Sequence, residues 1–279
     1  MRFQETLYPD WGQNFANDRT VFEIETDHQH LVIFENARFG RVMALDGVIQ
    51  TTESDEYVYH EMMVHVPLLS LNQPKRVLII GGGDGGILRE VLKHPSVSHV
   101  SQVEIDRAVV DLSIEYFPKH SAGAFDDPRF NLIIDDGASF MAHCDETFDC
   151  IITDSTDPIG PGEVLFESRF YQHCAKCLSE TGVLVTQNGV PFMQGDEVTN
   201  TYRRWQGLFA SRRFYLTTVP TYAGGPMAMG FAQKQPVAIP SLEDLYERSQ
   251  LLGPLRYYTP EAHHGAFGLP QYVQALMTD

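Results

Sequence analysis

The chain has 279 residues, of which 43% are hydrophobic, and its 37 acidic against 20 basic side chains give a formal net charge of −17. That length and apolar content suit one large α/β domain with a small attachment and speak against a disordered chain. The negative field repels phosphate backbones and anionic lipid, so neither nucleic acid nor membrane is an expected partner, and cationic small molecules suit it better.

The chain opens without a positively charged, apolar leader, and nowhere approaches the roughly 20 apolar residues of a membrane helix, which predicts a soluble, cytoplasmic protein. From Thr20 to Thr52 short alternating runs (VFEIE, HLVIFE, RVMAL, VIQTT) are punctuated by Asn36, Gly40 and Asp46-Gly47. This is a hairpin pattern, and it predicts a small antiparallel β domain over residues 1–54. Asp55 to Leu71 carries apolar residues at helical spacing and stops before Asn72-Gln73-Pro74, so a helix opens a second domain, residues 55–279.

After Pro74 the runs RVLIIGGG, HVSQVEID, FNLIIDDG, FDCIITDSTD and GVLVTQNG read as buried parallel strands alternating with helices. The pattern predicts a Rossmann-like, doubly wound and mostly parallel sheet, with ligands beyond the carboxyl ends of its strands. Phe214 to Val219 and Met227 to Gln233 add an antiparallel hairpin at its edge. Cys174 and Cys177 form a C-x-x-C without a second pair to complete a metal set, and we read them as one helix face. His60-Glu61-Met62-Met63-Val64-His65 misses the zinc motif H-E-x-x-H by one residue, which takes its two histidines off a common face. No metal is expected.

Gly81, Gly83 and Gly86 satisfy G-x-G-x-x-G between a strand and a helix, a loop that serves NAD, FAD or S-adenosylmethionine alike, or simple tight packing. Glu104, ending the next strand roughly 20 residues on, suits the two hydroxyls of a ribose and disfavours a 2′-phosphate. Asp136-Gly137 ends the third strand, where the carboxylate could meet an adenine amino group or cap a helix. Asp84 would repel a pyrophosphate or a ligand carboxylate and attract an ammonium, although it too could cap the following helix. An adenosyl-sulfonium ligand that has lost its carboxylate fits this loop best.

Asp154-Ser155-Thr156-Asp157-Pro158-Ile159-Gly160-Pro161 leaves the fourth strand beside the same crevice, as a lid or as an Asx turn. An alkylamine with a pKa of about 10.4 attacks only when neutral, and losing its proton at pH 7 costs roughly 4 to 5 kcal/mol. Asp154 is placed to accept that proton, and Asp157 to hold a second ammonium. A sulfonium leaves as a neutral thioether, so no general acid is required.

Together GGGDGG, VEID, IDDG and DSTDPIGP resemble the spermidine synthases, bacterial type, and FENARFGRVMALDGVIQTTESDE, YHEMM, TQNG and PTYAGG extend the likeness over nearly the whole chain. The resemblance implies an aminopropyltransferase that carries the aminopropyl group of decarboxylated S-adenosylmethionine, a co-substrate, to putrescine or a related diamine, with methylthioadenosine as product. No prosthetic group is implied. Asp154 would be the catalytic base. Gln29, Gln50, Asp84, Glu104, Asp136, Gly137 and Pro161 would bind the nucleoside. Trp11, Tyr59, His60, Asp84, Asp154, Asp157, Gln187 and Tyr222 would line the amine channel, His60 standing where some relatives carry Gln. A homodimer or homotetramer is implied. The rival readings are an S-adenosylmethionine-dependent amine N-methyltransferase, against which Asp84 argues, and a non-catalytic polyamine or nucleoside sensor, against which the retained Asp154 argues.

Overall fold

The computed structural model describes residues 1–156 and 160–278, the side chain of Pro161 excepted. Strands β1 (Arg2–Gln4) and β2 (Asn14–Ala16) pair antiparallel. A four-stranded meander follows: β3 (Arg19–Glu25), β4 (His30–Asn36), β5 (Gly40–Leu45) and β6 (Val48–Thr52). The β4–β5 turn runs through Gly40 and the β5–β6 turn through Asp46 and Gly47, all at positive φ, as the turn residues in the sequence require. The short β1–β2 pair has too few alternations to stand out in the sequence.

Helix α1 (Glu56–Ser70) is the pivot of the molecule. All of its residues but Tyr57 are buried, which accords with a helix apolar around most of its circumference. Five of these buried residues, Glu56, Tyr59, His60, Glu61 and His65, can ionise, and each finds partners.

The main sheet has seven strands: β7 (Arg76–Gly81), β8 (His99–Glu104), β9 (Phe130–Ile134), β10 (Phe148–Asp154), β11 (Leu178–Gln187), β12 (Ser211–Thr217) and β13 (Met227–Gln233). Their order is β12-β13-β11-β10-β7-β8-β9. The five strands from β11 to β9 are parallel, and β13 joins β11 and β12 antiparallel. Helices α2 (Gly86–Leu92), α3 (Arg107–Tyr116), α4 (Pro118–Ser121), α5 (Gly137–His143), α6 (Ser168–Cys177) and α7 (Gly195–Arg204) connect them. Three more, α8 (Leu242–Ser249), α9 (Pro260–Ala266) and α10 (Gln271–Gln274), complete the carboxyl end.

From β7 the chain builds β8 and β9 on one side, then crosses to β10 on the other, so the strand order reverses between β7 and β10. A crevice opens at such a reversal beyond the carboxyl ends of the strands. Gly81 and Asp154 sit there in register as Cα partners. Gly81 has φ +83°, and a Cβ on it would come within 2.0 Å of the Asp154 carbonyl oxygen, so only glycine fits. Cys174 and Cys177 lie buried on α6 with free thiols. No cluster of metal-ligating side chains occurs among the described residues, and no helix among them is long and apolar enough to cross a membrane.

Candidate active site

A cavity of about 350 Å³ occupies the crevice. Its floor is the ends of β7, β8, β10 and β11, and its roof is the β5–β6 edge of the meander with residues from the segment between β1 and β2. Gln29, Gln50, Tyr59, His60, Asp84, Glu104, Asp136, Gly137, Asp154, Gln187 and Tyr222 all line it.

Two expected residues cannot be placed this way, because Asp157 and the Pro161 side chain lie outside the described residues. Trp11 is a correction. It is 42% exposed, does not line the cavity, and rests on Tyr8 with ring centroids 5.9 Å apart. The β1–β2 connection crosses the mouth so that Glu5, Tyr8 and Gln13 face inward while Trp11 stays outside.

On the nucleoside side, Glu104 is buried at the end of β8 and accepts from the Asp106 backbone N–H at 3.0 Å. Burial raises its carboxyl to about 7, against that hydrogen bond. Gln29 donates to Asp106 Oδ2 at 3.0 Å, tying the meander to the β8–α3 turn. Asp136 accepts from the Ser139 N–H at 2.6 Å, so it caps α5 and lines the cavity at once. Gln50 donates to the Val48 carbonyl, and its own carbonyl accepts from the Tyr222 hydroxyl.

On the other side, Asp154 Oδ1 accepts from the Tyr59 hydroxyl at 2.6 Å. Burial and then the charge of Asp84 raise Asp154 to about 6, while His60 and the Tyr59 bond pull it down. Tyr59 is itself packed edge-on against Tyr222, centroids 5.9 Å apart. Gln187 donates to the Ser155 carbonyl and accepts from the Gly189 N–H, which locks its amide orientation.

Asp84, expected either to attract an ammonium or to cap the following helix, already has partners within the protein. Its Oδ1 accepts from the Gly86 N–H at 2.8 Å, and its Oδ2 lies 3.3 Å from His60 Nε2 and 4.0 Å from His120 Nε2. Burial opposes its charge, yet His60 holds the carboxyl far below the usual range. One side chain thus both accepts from the first N–H of α2, just outside its Gly85 cap, and faces two histidines.

Sequence reasoning also passed over Glu56, whose Oε2 sits 2.6 Å from His60 Nδ1. Its legible signal was the i,i+4 spacing with His60 on a predicted helix. His120 and Arg89, brought in by α4 and α2, had no such signal.

Comparison with known proteins bears on what this cavity is. Residues 56–241 match the spermine/spermidine synthase domain, and residues 1–53 match the spermidine synthase tetramerisation domain. The chain belongs to the spermidine synthase family. A polyamine aminopropyltransferase 1 of Pseudomonas aeruginosa is 60% identical over 97% of this chain and 96% of its own length. A polyamine aminopropyltransferase of a Ruegeria species is 55% identical over 98% and 96%. Among solved structures, a spermidine synthase in complex with the transition-state analogue AdoDATO superposes with a TM-score of 0.92 at 39% identity, covering 99% of this chain and 94% of its own. The spermidine synthase of Thermotoga maritima does so at 0.91. As a member of this family the chain is a polyamine aminopropyltransferase, built on the family's Rossmann-like sheet.

Proposed function

We propose that the chain transfers the aminopropyl group of decarboxylated S-adenosylmethionine to putrescine, giving spermidine and methylthioadenosine, with Asp154 as general base. The observation that carries this reading is the Asp154 carboxylate, held by the Tyr59 hydroxyl in the cavity and raised to about 6, near working pH where a general base is most effective.

The amine nitrogen attacks the methylene carbon bound to the sulfonium. A C–N bond forms as the C–S bond breaks, and the electron pair leaves with sulfur as a neutral thioether. The proton from the attacking nitrogen passes to Asp154. Tyr59 fixes the carboxylate, and Gln187 and Tyr222 line the same half of the cavity, where Asp157 would take the distal ammonium. Glu104, with Gln29, Gln50, Asp136, Gly137 and Pro161, serves the nucleoside, and two ribose hydroxyls donating to Glu104 would hold it ionised.

Because His60 offsets Asp84, preference for a donor without a carboxylate rests on Asp84, Asp154 and Glu104 together. That a spermidine synthase of the same fold was solved with AdoDATO supports the reading. We further infer a homo-oligomer, from the match of the first 53 residues to a tetramerisation domain.

The test is a mass-spectrometric assay of the purified protein with putrescine and either decarboxylated or intact S-adenosylmethionine. Spermidine and methylthioadenosine from the decarboxylated donor only are expected. N-methylputrescine from the intact donor would move the chain to the methyltransferase reading, and no product with any amine to the sensor reading.

A further inference from the structure

His60 is held from both ends. Its Nδ1 lies 2.6 Å from Glu56 Oε2 and its Nε2 lies 3.3 Å from Asp84 Oδ2. A carboxylate only accepts, so the ring satisfies both partners only with a proton on each nitrogen, as an imidazolium. The ring cannot slip away, because it packs against Gly86 so closely that a Cβ there would meet His60 Cε1 at 2.1 Å.

Glu56 is buried and its carboxylate is held in turn by Arg89, whose Nη2 lies 2.8 Å from Oε2. Arg89 is braced by the Lys119 and His120 carbonyls and by Glu90 at 2.6 Å. Neither Glu56 nor Arg89 lines the cavity.

We propose that the buried Glu56–Arg89 pair is a positioning device for the reaction: by holding His60 doubly protonated, it fixes a cation beside Asp84 and within the field of Asp154. The groups facing His60 are Glu56 and Tyr59 from α1, Asp84 from the glycine loop, Arg89 from α2, His120 from α4 and Asp154 from β10. Two carboxylates touch the ring. Tyr59 and Arg89 act through Asp154 and Glu56 respectively, and His120, whose Nε2 lies 3.0 Å from Thr51 Oγ1, is buried and inclined to stay neutral. Burial opposes the charge on His60, but Asp84 and Glu56 together raise it to about 10.

The consequence is felt at Asp154. With His60 charged, the repulsion from Asp84 is partly cancelled and Asp154 ionises near pH 6. With His60 neutral, Asp84 acts unopposed and Asp154 keeps its proton to higher pH. This consequence rests on the base assignment proposed above, whereas the protonation of His60 does not.

The test combines NMR of isotope-labelled histidine rings with pH profiles of kcat/KM, the His60 signal being assigned by its loss in His60→Gln. In the unsubstituted protein both His60 ring nitrogens should carry protons at about pH 8, where a free imidazole is neutral. In Glu56→Gln, His60 should lose one of them at that pH, and the lower of the two ionisations in the acidic limb of kcat/KM, that of Asp154, should move up by about half a pH unit or more. Glu56→Asp, which withdraws the carboxylate from the ring by one methylene, should show the same displacements at smaller size if the glutamine variant does not fold. A singly protonated His60 in the unsubstituted protein overturns the proposal whether or not aminopropyl transfer is found. So does a Glu56 variant that is slower at every pH with its limb and its His60 signal unmoved, the result of a merely structural role.

Discussion

Burial and the charge of Asp84 raise the Asp154 carboxyl to about 6, from an ordinary 3.8. Between those two values the folded chain binds more protons than the unfolded one, so this group's contribution to stability falls as pH rises through them. At neutral pH the ionised Asp154 is therefore a cost to the fold. Asp154→Asn should lower kcat by about 10²- to 10⁴-fold, as loss of a general base does. Nucleoside affinity should change little, and Tm by calorimetry near pH 7 should equal or exceed that of the unsubstituted protein. Equal losses of affinity and rate would remove Asp154 from the base role. Glu104, raised to about 7, is a second group that must ionise, so kcat/KM should climb from pH 5 to about pH 7.

At the scale of elements, the site depends on a latch between the start of α1 and the loop that carries Tyr222. Asp55 is buried; its Oδ2 accepts from Thr221 N–H at 2.9 Å and Thr221 Oγ1 at 2.8 Å, and its Oδ1 from Thr52 Oγ1 at 2.6 Å. One carboxylate thus joins β6, α1 and the β12–β13 connection. Asp55→Ala leaves the Thr221 N–H unpaired and should cost roughly 2 to 4 kcal/mol in chemical denaturation. The released loop should raise KM for the amine more than it lowers kcat, since Tyr222 lines the cavity without touching Asp154's proton path. The signature of this residue in the sequence, TTESDEYV, reads only as a helix start.

Over the whole molecule, α1 also anchors the carboxyl end. Glu61, 1% exposed, accepts from the backbone N–H groups of Arg256, Tyr257 and Tyr258 at 2.7–2.8 Å. Arg248 of α8 donates to the Leu69 and Leu71 carbonyls. Glu61→Ala should destabilise the chain by roughly 3 kcal/mol through three orphaned donors. Limited proteolysis should then cut near residues 250–258 before it cuts the sheet, and cleavage spread evenly over the chain would contradict the anchor. The net charge of −17 acts at the same scale. A field of that sign concentrates a polycation near the cavity, so KM for putrescine should rise with ionic strength while kcat holds. An unchanged KM between low and high salt would show that only the carboxylates inside the cavity matter.

Alternation, turn residues and apolar runs are local properties, and so the meander, α1, the five parallel strands and the final hairpin were all legible in the chain. The strand-end acids Glu104, Asp136 and Asp154 were legible for a related reason: in a parallel sheet the carboxyl ends share one edge, so position in sequence predicts position in space. Charge pairing between elements has no such local signature, unlike the i,i+4 pair of Glu56 and His60 within α1. That His60 would meet Asp84, that Arg89 would secure Glu56, and that Trp11 would lie outside the cavity with Tyr8 inside it depend on how α1, α2 and the β1–β2 connection pack against the sheet. Residues far apart in the chain acquire their protonation states only from the neighbours that packing supplies, and only the tertiary structure decided those.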